Sequence, residues 1–347
     1  MPRLISLVKD LTPDRPVLFR SHIQIRSDLV DQQGTPQADV WSFLWNNIKR
    51  ADMFISHPIP SFVPKNVPRA KVAYMPATTD WLDGLNKDIS EWDQSYYRSL
   101  YNKECSSSMM TQLKSRNYIL QIARFDPAKG INDVIKSYAE FRRLLEKHNS
   151  EIEPPQLVIT GNSSVDDPDS TRIYDETMNE LESKHPHLIS SVSVMRLSAN
   201  DQLLNSLLSA SHIVLQLSTR EGFEVKVSEA IHKGKPVIAT KAGGIPLQVQ
   251  HGQNGFLVEI GDWKAAAGDM FDLWTDDKLY KKMSQFAKHS VSDEVGTVGN
   301  ALAWFYLADK LTSGERLAPD GRWVNDLARG AAGKPYEKGE NRLPRSI

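Results

Sequence analysis

The sequence predicts an α/β protein built on a parallel sheet, with a second and less complete lobe ahead of it. Two observations carry this reading. From Tyr118 onward, strand-sized apolar runs alternate with amphipathic helical stretches, the pattern of a parallel sheet buried beneath helices on both faces. Before residue 80 the alternation is only partial, with short apolar segments around one helical stretch.

In chain order, VLFRSHIQI (17–25) and DMFIS (52–56) read as short buried strands separated by a helix near Val40 to Arg50. KVAYMPATT (71–79) is a third strand, cut short by Pro76, whose missing N–H ends ladder pairing. Asp80 to Asn117 is polar, with an amphipathic helix near Glu91 to Tyr101 and a Ser-rich Ser106 to Ser108, and reads as a linker. YILQIA (118–123) is then a strand, and Ile131 to Lys147 a helix with Val134, Ile135, Tyr138, Phe141, Leu144 and Leu145 at its apolar positions. QLVITG (156–161) is the next strand, followed by a helix around Tyr174 to Lys184. SVSVM (191–195), HIVLQL (212–217), PVIAT (236–240) and GFLVE (255–259) are further strands, and His251 to Gly255 reads as a hairpin turn. The remainder is helical to about Leu311, with Trp263, Phe271, Trp274, Trp304 and Phe305, and a Pro/Gly-rich polar tail expected to be mobile begins after Ser313. The expected organisation is therefore 1–80 partial N-terminal lobe, 81–117 linker, 118–290 C-terminal lobe, and 291–347 helix and tail.

Composition narrows the function classes. Across 347 residues, 42 Lys plus Arg against 43 Asp plus Glu give a net charge of -1, which provides no polybasic surface for nucleic acid. The one cysteine, Cys105, supplies neither an intramolecular disulfide nor a structural zinc cluster, and suits a reducing interior. No run approaches the roughly 20 apolar residues of a membrane span, and Arg3, Lys9 and Asp10 interrupt any signal-peptide core. The expectation is a cytoplasmic protein acting on small molecules, with no metal, membrane or nucleic-acid partner.

In parallel α/β sheets ligands sit at the carboxyl ends of the strands, and four loops there hold unusual residues. Arg124-Phe-Asp-Pro-Ala-Lys129-Gly130 follows the first strong strand and leads into a helix, so two cations and a helix N-terminus can meet an anion. Solvated loop charges are the alternative. Glu221-Gly222-Phe223-Glu224 opens a stretch in which Glu229 lies eight residues after Glu221, about 12 Å along a helix. Such carboxylates can accept hydrogen bonds from sugar hydroxyls at two points, or simply complement a helix dipole. Gly243 and Gly244, after PVIAT, admit a ligand close to the backbone or form a plain tight turn. His22, between Arg20 and Arg26, is either a packed polar residue or a ligand contact.

Together these segments, RF-x-x-x-KG, E-x7-E, GG-I-P and HG-x-x-G-F-L-V in order from Arg124 to Val258, resemble the family-4 retaining glycosyltransferases of the GT-B architecture. The resemblance runs from about residue 17 to 290. Within that family, FRSHIQIRSD, VWSFLWNNIKRADMFISHP, QIARFDPAKGINDVI, the GNSSVDDPDS loop at Gly161 to Ser170, and STREGFEVKVSEAIHKGKPVIATKAGGIPLQVQHGQNGFLV are similar to the fungal retaining trehalose phosphorylases and the nucleotide-sugar-dependent trehalose synthases.

The resemblance implies reversible conversion of α,α-trehalose and phosphate to α-glucose 1-phosphate and glucose, with retention and without a cofactor. Arg124 and Lys129 would hold phosphate, Glu221 would orient glucosyl hydroxyls beside the Gly222–Glu224 backbone, and His22 would face the same sugar. No pair of carboxylates flanks the bond as a retaining glycosidase requires, which suits same-face substitution. Most family members carry Gly where this chain has Glu224, a departure that favours phosphate over a nucleotide donor. Glu229, a ribose contact in nucleotide-using relatives, keeps the nucleotide-sugar donor as the alternative. The residues before the linker correspond to the closing part of a longer lobe, so a truncated acceptor side is expected, with a non-catalytic sugar-phosphate-binding fragment as a further alternative. The aromatic C-terminal helices suit either a homodimer interface or packing back onto the first lobe.

Overall fold

The computed structural model describes residues 2–114, 117–149, 151–162 and 169–346. The chain forms two compact units, the first of Met1–Thr79, Glu221–Val225 and Ser292–Ile347, the second of Asp80–Arg220 and Lys226–Val291.

The first unit begins with helix α1 (Arg3–Leu11), strand β1 (Leu18–Arg20), helices α2 (Ser27–Val30) and α3 (Pro36–Ile48), and strands β2 (Met53–Ser56) and β3 (Val72–Tyr74). α3 starts where extended Thr35 accepts from the Ala38 N–H at 3.1 Å and Pro36 supplies the first helical residue. α1 has no counterpart among the sequence-based expectations, because its charged residues hide its packing. Lys9 is buried there, donating to the Pro13 and Arg15 carbonyls at 3.1 and 2.8 Å and pairing with Asp52 at 2.8 Å. β1, β2 and β3 run parallel. Their alternate residues feed two cores, as the period of two demands. Phe54 and Val72 pack with Ile5, Trp41 and Ile48, whereas Met53, Ile55, Ala73 and Met75 pack with Ala303, Leu307 and Val324.

The second unit contains α4 (Glu91–Ser107), β4 (Ile119–Ile122), α5 (Ile131–His148), β5 (Leu157–Asn162), α6 (Asp169–Lys184), β6 (Val192–Leu197), α7 (Asp201–Ala210), β7 (Ile213–Gln216), α8 (Val225–His232), β8 (Val237–Thr240), β9 (Gly255–Val258), α9 (Trp263–Thr275) and α10 (Asp277–Ser290). Its six strands are all parallel, in the order β6-β5-β4-β7-β8-β9. Ile119, Leu157, Ile159 and Ile213 face a core with Val134, Tyr138 and Met270, and Leu120, Val158 and Val214 face the opposite core with Leu207 and Val227. In the stretch read as a linker, α4 buries Tyr101 and Cys105 completely in that second core, with the Tyr101 hydroxyl 2.8 Å from Ser193 Oγ. The hairpin expected at 251–255 is not one: β8 and β9 run parallel. Turn residues announce a reversal without naming the strand that follows, and His251 here accepts at Nδ1 from the Leu257 N–H at 3.0 Å.

The chain then re-enters the first unit as α11 (Thr297–Thr312), β10 (Arg322–Trp323) and α12 (Val324–Ala331). β10 pairs with β3 in parallel and completes the order β1-β2-β3-β10. The segment expected as a mobile tail is therefore structural. Its end is pinned by Arg345, which pairs with fully buried Glu294 at 2.7 Å and with Asp326 at 2.5 Å while lying 4.0 Å over the Trp323 ring. Replacing Arg345 by Ala strands a buried carboxylate, and is expected to cost about 3 kcal/mol. A chemical-denaturation midpoint within error of the parent would refute that cost.

Candidate functional site

In the second unit the strand order reverses at β4, flanked by β5 and β7. At such a switch point the loops diverge and open a crevice at the strand ends, and Arg124 to Gly130 is the loop leaving β4. Asp126 caps a 3-10 turn over Pro127–Lys129, accepting from the Ala128 N–H at 2.8 Å, and its carboxylate lies 3.6 Å from the Arg124 guanidinium. Gly130, at φ 61°, turns the chain into α5. A Cβ there would stand 1.8 Å from the Leu217 carbonyl oxygen, so the loop sits directly on the end of β7. Three further bonds fasten it: Gln121 donates to the Lys129 carbonyl at 2.9 Å and accepts from Leu217 N–H at 3.3 Å, and Thr219 N–H donates to Ala128 O at 2.8 Å. Arg124 and Lys129 are thereby held on one braced loop.

Glu229 lies in α8 with its side chain only 3% exposed, and pairs with Lys226 at 2.7 Å. Its neighbour Ser228 donates to Gln248 Oε1 at 2.6 Å, and Gln248 Nε2 donates to the Gly244 carbonyl at 3.2 Å. These bonds join α8 to the Gly243–Gly244 turn, in which Gly243 takes φ 51°.

The first unit assembles the other group at the carboxyl ends of β1 and β2. Ser21 N–H donates to Ile55 O at 2.9 Å and His22 follows. The Glu221–Val225 segment belongs to this unit and meets His22 and His57. The His57 ring is 6.2 Å from that of His22 at 75° and stacks on Phe223 at 5.9 Å and 23°. A Cβ on Gly222 would lie 3.2 Å from the His22 carbonyl oxygen and 3.4 Å from His57 Nε2, a tight fit that its neighbours would have to relieve by a few tenths of an ångström. Glu221 and Phe223 are buried, and Glu224 holds φ 65°, a left-handed conformation costing a non-glycine residue roughly 1 kcal/mol. Burial, and then the Arg20 charge, lowers the His22 pKa. His57, 1% exposed, is pushed down to about 4, chiefly by burial. Burial lowers Arg20 to about 10.

Each sequence-predicted residue thus has a place: Arg124 with Lys129, Glu229 with Gly243 and Gly244, and His22 with Glu221, Gly222, Phe223 and Glu224. Positions 163–168 of the Gly161–Ser170 loop lie outside the described residues. The expectations missed Arg20, His57, Gln121 and Gln248. Gln121, a polar residue inside an apolar strand, and His57, just past a buried strand, carried the signals that could have found them. Among the described residues, no group of three or more His, Cys, Asp or Glu side chains is arranged to hold a metal ion, and no helix is long and apolar enough to cross a membrane.

Residues 110–290 match the family described as Glycosyl transferases group 1. The chain is 53% identical, over its full length, to trehalose phosphorylase of Pleurotus pulmonarius, covering 48% of that protein. It is 30% identical to trehalose synthase of Pyrococcus horikoshii, over 84% of this chain and 63% of that one. The chain thus spans about half the length of the curated trehalose phosphorylases it matches. Among solved structures, sucrose-phosphate synthase from Thermosynechococcus elongatus superposes with a TM-score of 0.66 at 20% identity, covering 86% of this chain and 68% of that one. Two parallel-sheet units with this likeness are the GT-B fold, and the matched span places the chain in a family: it belongs to the glycosyl transferases group 1.

Proposed function

We propose that this chain carries the glucosyl-transfer machinery of a retaining trehalose phosphorylase, acting on trehalose and inorganic phosphate in the cytoplasm. The observation that carries the reading is the braced Arg124–Lys129 loop at the sheet's switch point, in a chain 53% identical to a trehalose phosphorylase. In the proposed reaction a phosphate oxygen bonds to the glucosyl C1 as the C1–O bond to the second glucose breaks on the same face. The phosphate proton passes to the departing glucose oxygen, giving α-glucose 1-phosphate and glucose. Arg124 and Lys129 stabilise the negative charge around the transferring oxygens, where fixed cations act without reorganising. Glu221 accepts from glucosyl hydroxyls, the Gly222–Phe223 backbone lies along the sugar, and His22 contacts the same glucosyl unit.

Nucleotide-sugar-dependent synthesis is the second reading, supported by the likeness to a trehalose synthase. The pairing of Glu229 with Lys226 at 2.7 Å favours a structural Glu229 and hence phosphate. Offering glucose together with either glucose 1-phosphate or UDP- or ADP-glucose separates the two: trehalose formed only from the nucleotide sugar rejects the phosphorylase. A third reading is a sugar-phosphate-binding module without turnover. It predicts glucose 1-phosphate binding, weakened in Arg124→Ala, with no product at any enzyme concentration.

Glu224 bears on donor choice. Glu224→Gly is expected to change stability by no more than about 1 kcal/mol, because relief of left-handed strain is opposed by the extra freedom of the unfolded chain. It should also weaken the preference for phosphate over a nucleotide donor, which parallel initial-rate measurements would check. A homodimer belongs to the same proposal, since Val298 and Phe305 of α11 are 80% and 74% exposed. A monomer mass by light scattering would remove it.

A further inference from the structure

We infer that Gln121 is a positioning residue: where β4 and β7 part, its side-chain amide takes over from the main-chain ladder and ties the phosphate loop to the outgoing end of β7, which Thr240 holds from the β8 side. Its effect on transfer rests on the function proposed above, whereas the clamp itself lies wholly within the second unit.

The sheet register locates the gap. β4 pairs with β5 as far as Ile122 opposite Thr160, but with β7 only through Ile119–Ile213 and Leu120–Val214. Past that point the ladder between β4 and β7 ends, although buried N–H and C=O groups still require partners. Gln121 is fully buried and supplies them: Leu217 N–H donates to its Oε1 at 3.3 Å, and its Nε2 donates to the Lys129 carbonyl at 2.9 Å. A main-chain N–H only donates and a carbonyl only accepts, so the two partners fix which way round the amide lies. An apolar side chain, like the others in the strand ILQI, could meet neither group.

Thr240 holds the other side of the same segment. β7 pairs with β8 up to Gln216 opposite Ala239. One residue further, the buried Thr240 hydroxyl donates to the Ser218 carbonyl. Residues 217 and 218 are thereby gripped from β4 and from β8, and they and Thr219 carry the loop. Thr219 N–H donates to Ala128 O at 2.8 Å, and Gly130 is seated against the Leu217 carbonyl. The main chain of residues 128–130 therefore takes its position from Gln121 and Thr240, and with it the place from which the Lys129 side chain leaves the loop.

The test compares Gln121→Met, which keeps length and burial but loses both bonds, with the pair Thr240→Val, which loses the hydroxyl, and Thr240→Ser, which keeps it. All are made in the full chain and followed by steady-state kinetics and by amide hydrogen exchange. Gln121→Met is expected to lower kcat at least about tenfold, since small misplacements of positioned groups are costly. The KM for phosphate should rise while the KM for trehalose stays unchanged. Thr240→Val should raise the phosphate KM in the same sense but by less, and Thr240→Ser should retain the parent value. Parent kinetics in Gln121→Met would overturn the role, because packing alone would then suffice, and so would an equal rise in both KM values, the mark of general loosening. If Gln121→Met does not fold, the Thr240 pair decides, and the same phosphate KM in Val and Ser variants counts against the clamp. If the parent shows no turnover, the reaction assignment fails by itself. Exchange at the Leu217 and Thr219 amides then still decides the role of Gln121: faster exchange at both in Gln121→Met supports it, and unchanged rates overturn it.

Discussion

Replacing Lys129 by Ala is expected to lower phosphate-dependent glucosyl transfer by about 10²–10³-fold, the usual effect of deleting one fixed group that stabilises transition-state charge. The fold should be nearly untouched, because the bonds bracing the loop run through the Lys129 carbonyl and the Ala128 and Thr219 main chain, all of which Ala preserves. The loss should therefore appear in the rate at saturating trehalose, with an unchanged denaturation midpoint. Arg124→Ala should behave similarly, although its side chain is 56% exposed, with the guanidinium 3.6 Å from the Asp126 carboxylate, so a smaller effect is expected. Lys129→Ala retaining more than about a third of the parent rate would mean that the charge is not used in the transition state.

The second large effect is at Gly130. Alanine there would place its Cβ 1.8 Å from the Leu217 carbonyl oxygen while the backbone stays at φ 61°. No L-residue fits both demands, so the loop must lift from the end of β7, breaking the Thr219–Ala128 and Gln121–Lys129 bonds. Left-handed strain alone accounts for roughly 1–2 kcal/mol. With the displaced contacts the loss should reach about 3 kcal/mol or more, with transfer abolished even in the fraction that stays folded. A Gly130→Ala protein with the parent's denaturation midpoint and activity would show that the loop is not seated as described.

Much of this was legible before the structure. The second unit reads well because its parallel strands are buried on both faces and appear as unbroken apolar runs, such as QLVITG and HIVLQL. The loop residues Arg124 and Lys129 stood out because two cations at a strand end need an explanation. Glu224 stood out as a departure from glycine, and its φ of 65° supplies the physical reason glycine is usual there. What stayed hidden depends on contacts distant in sequence. His57 matters because of His22, 35 positions earlier, and Phe223 from far beyond. β10 is two residues long and exists only by pairing with β3. α12 and the Arg345 cluster look like polar tail until Glu294 is seen buried beneath them. The turn at 251–255 was recognised as a turn, but its residues could not reveal that the next strand runs parallel.

The central claim is retaining transfer of glucose between trehalose and phosphate, and its most direct test is phosphorus and proton NMR of the purified chain with trehalose and inorganic phosphate. The account predicts α-glucose 1-phosphate as the phosphorylated product, one equivalent of free glucose, and no product in the Arg124→Ala, Lys129→Ala double variant. A β-anomer, or glucose released without phosphate ester, would contradict it.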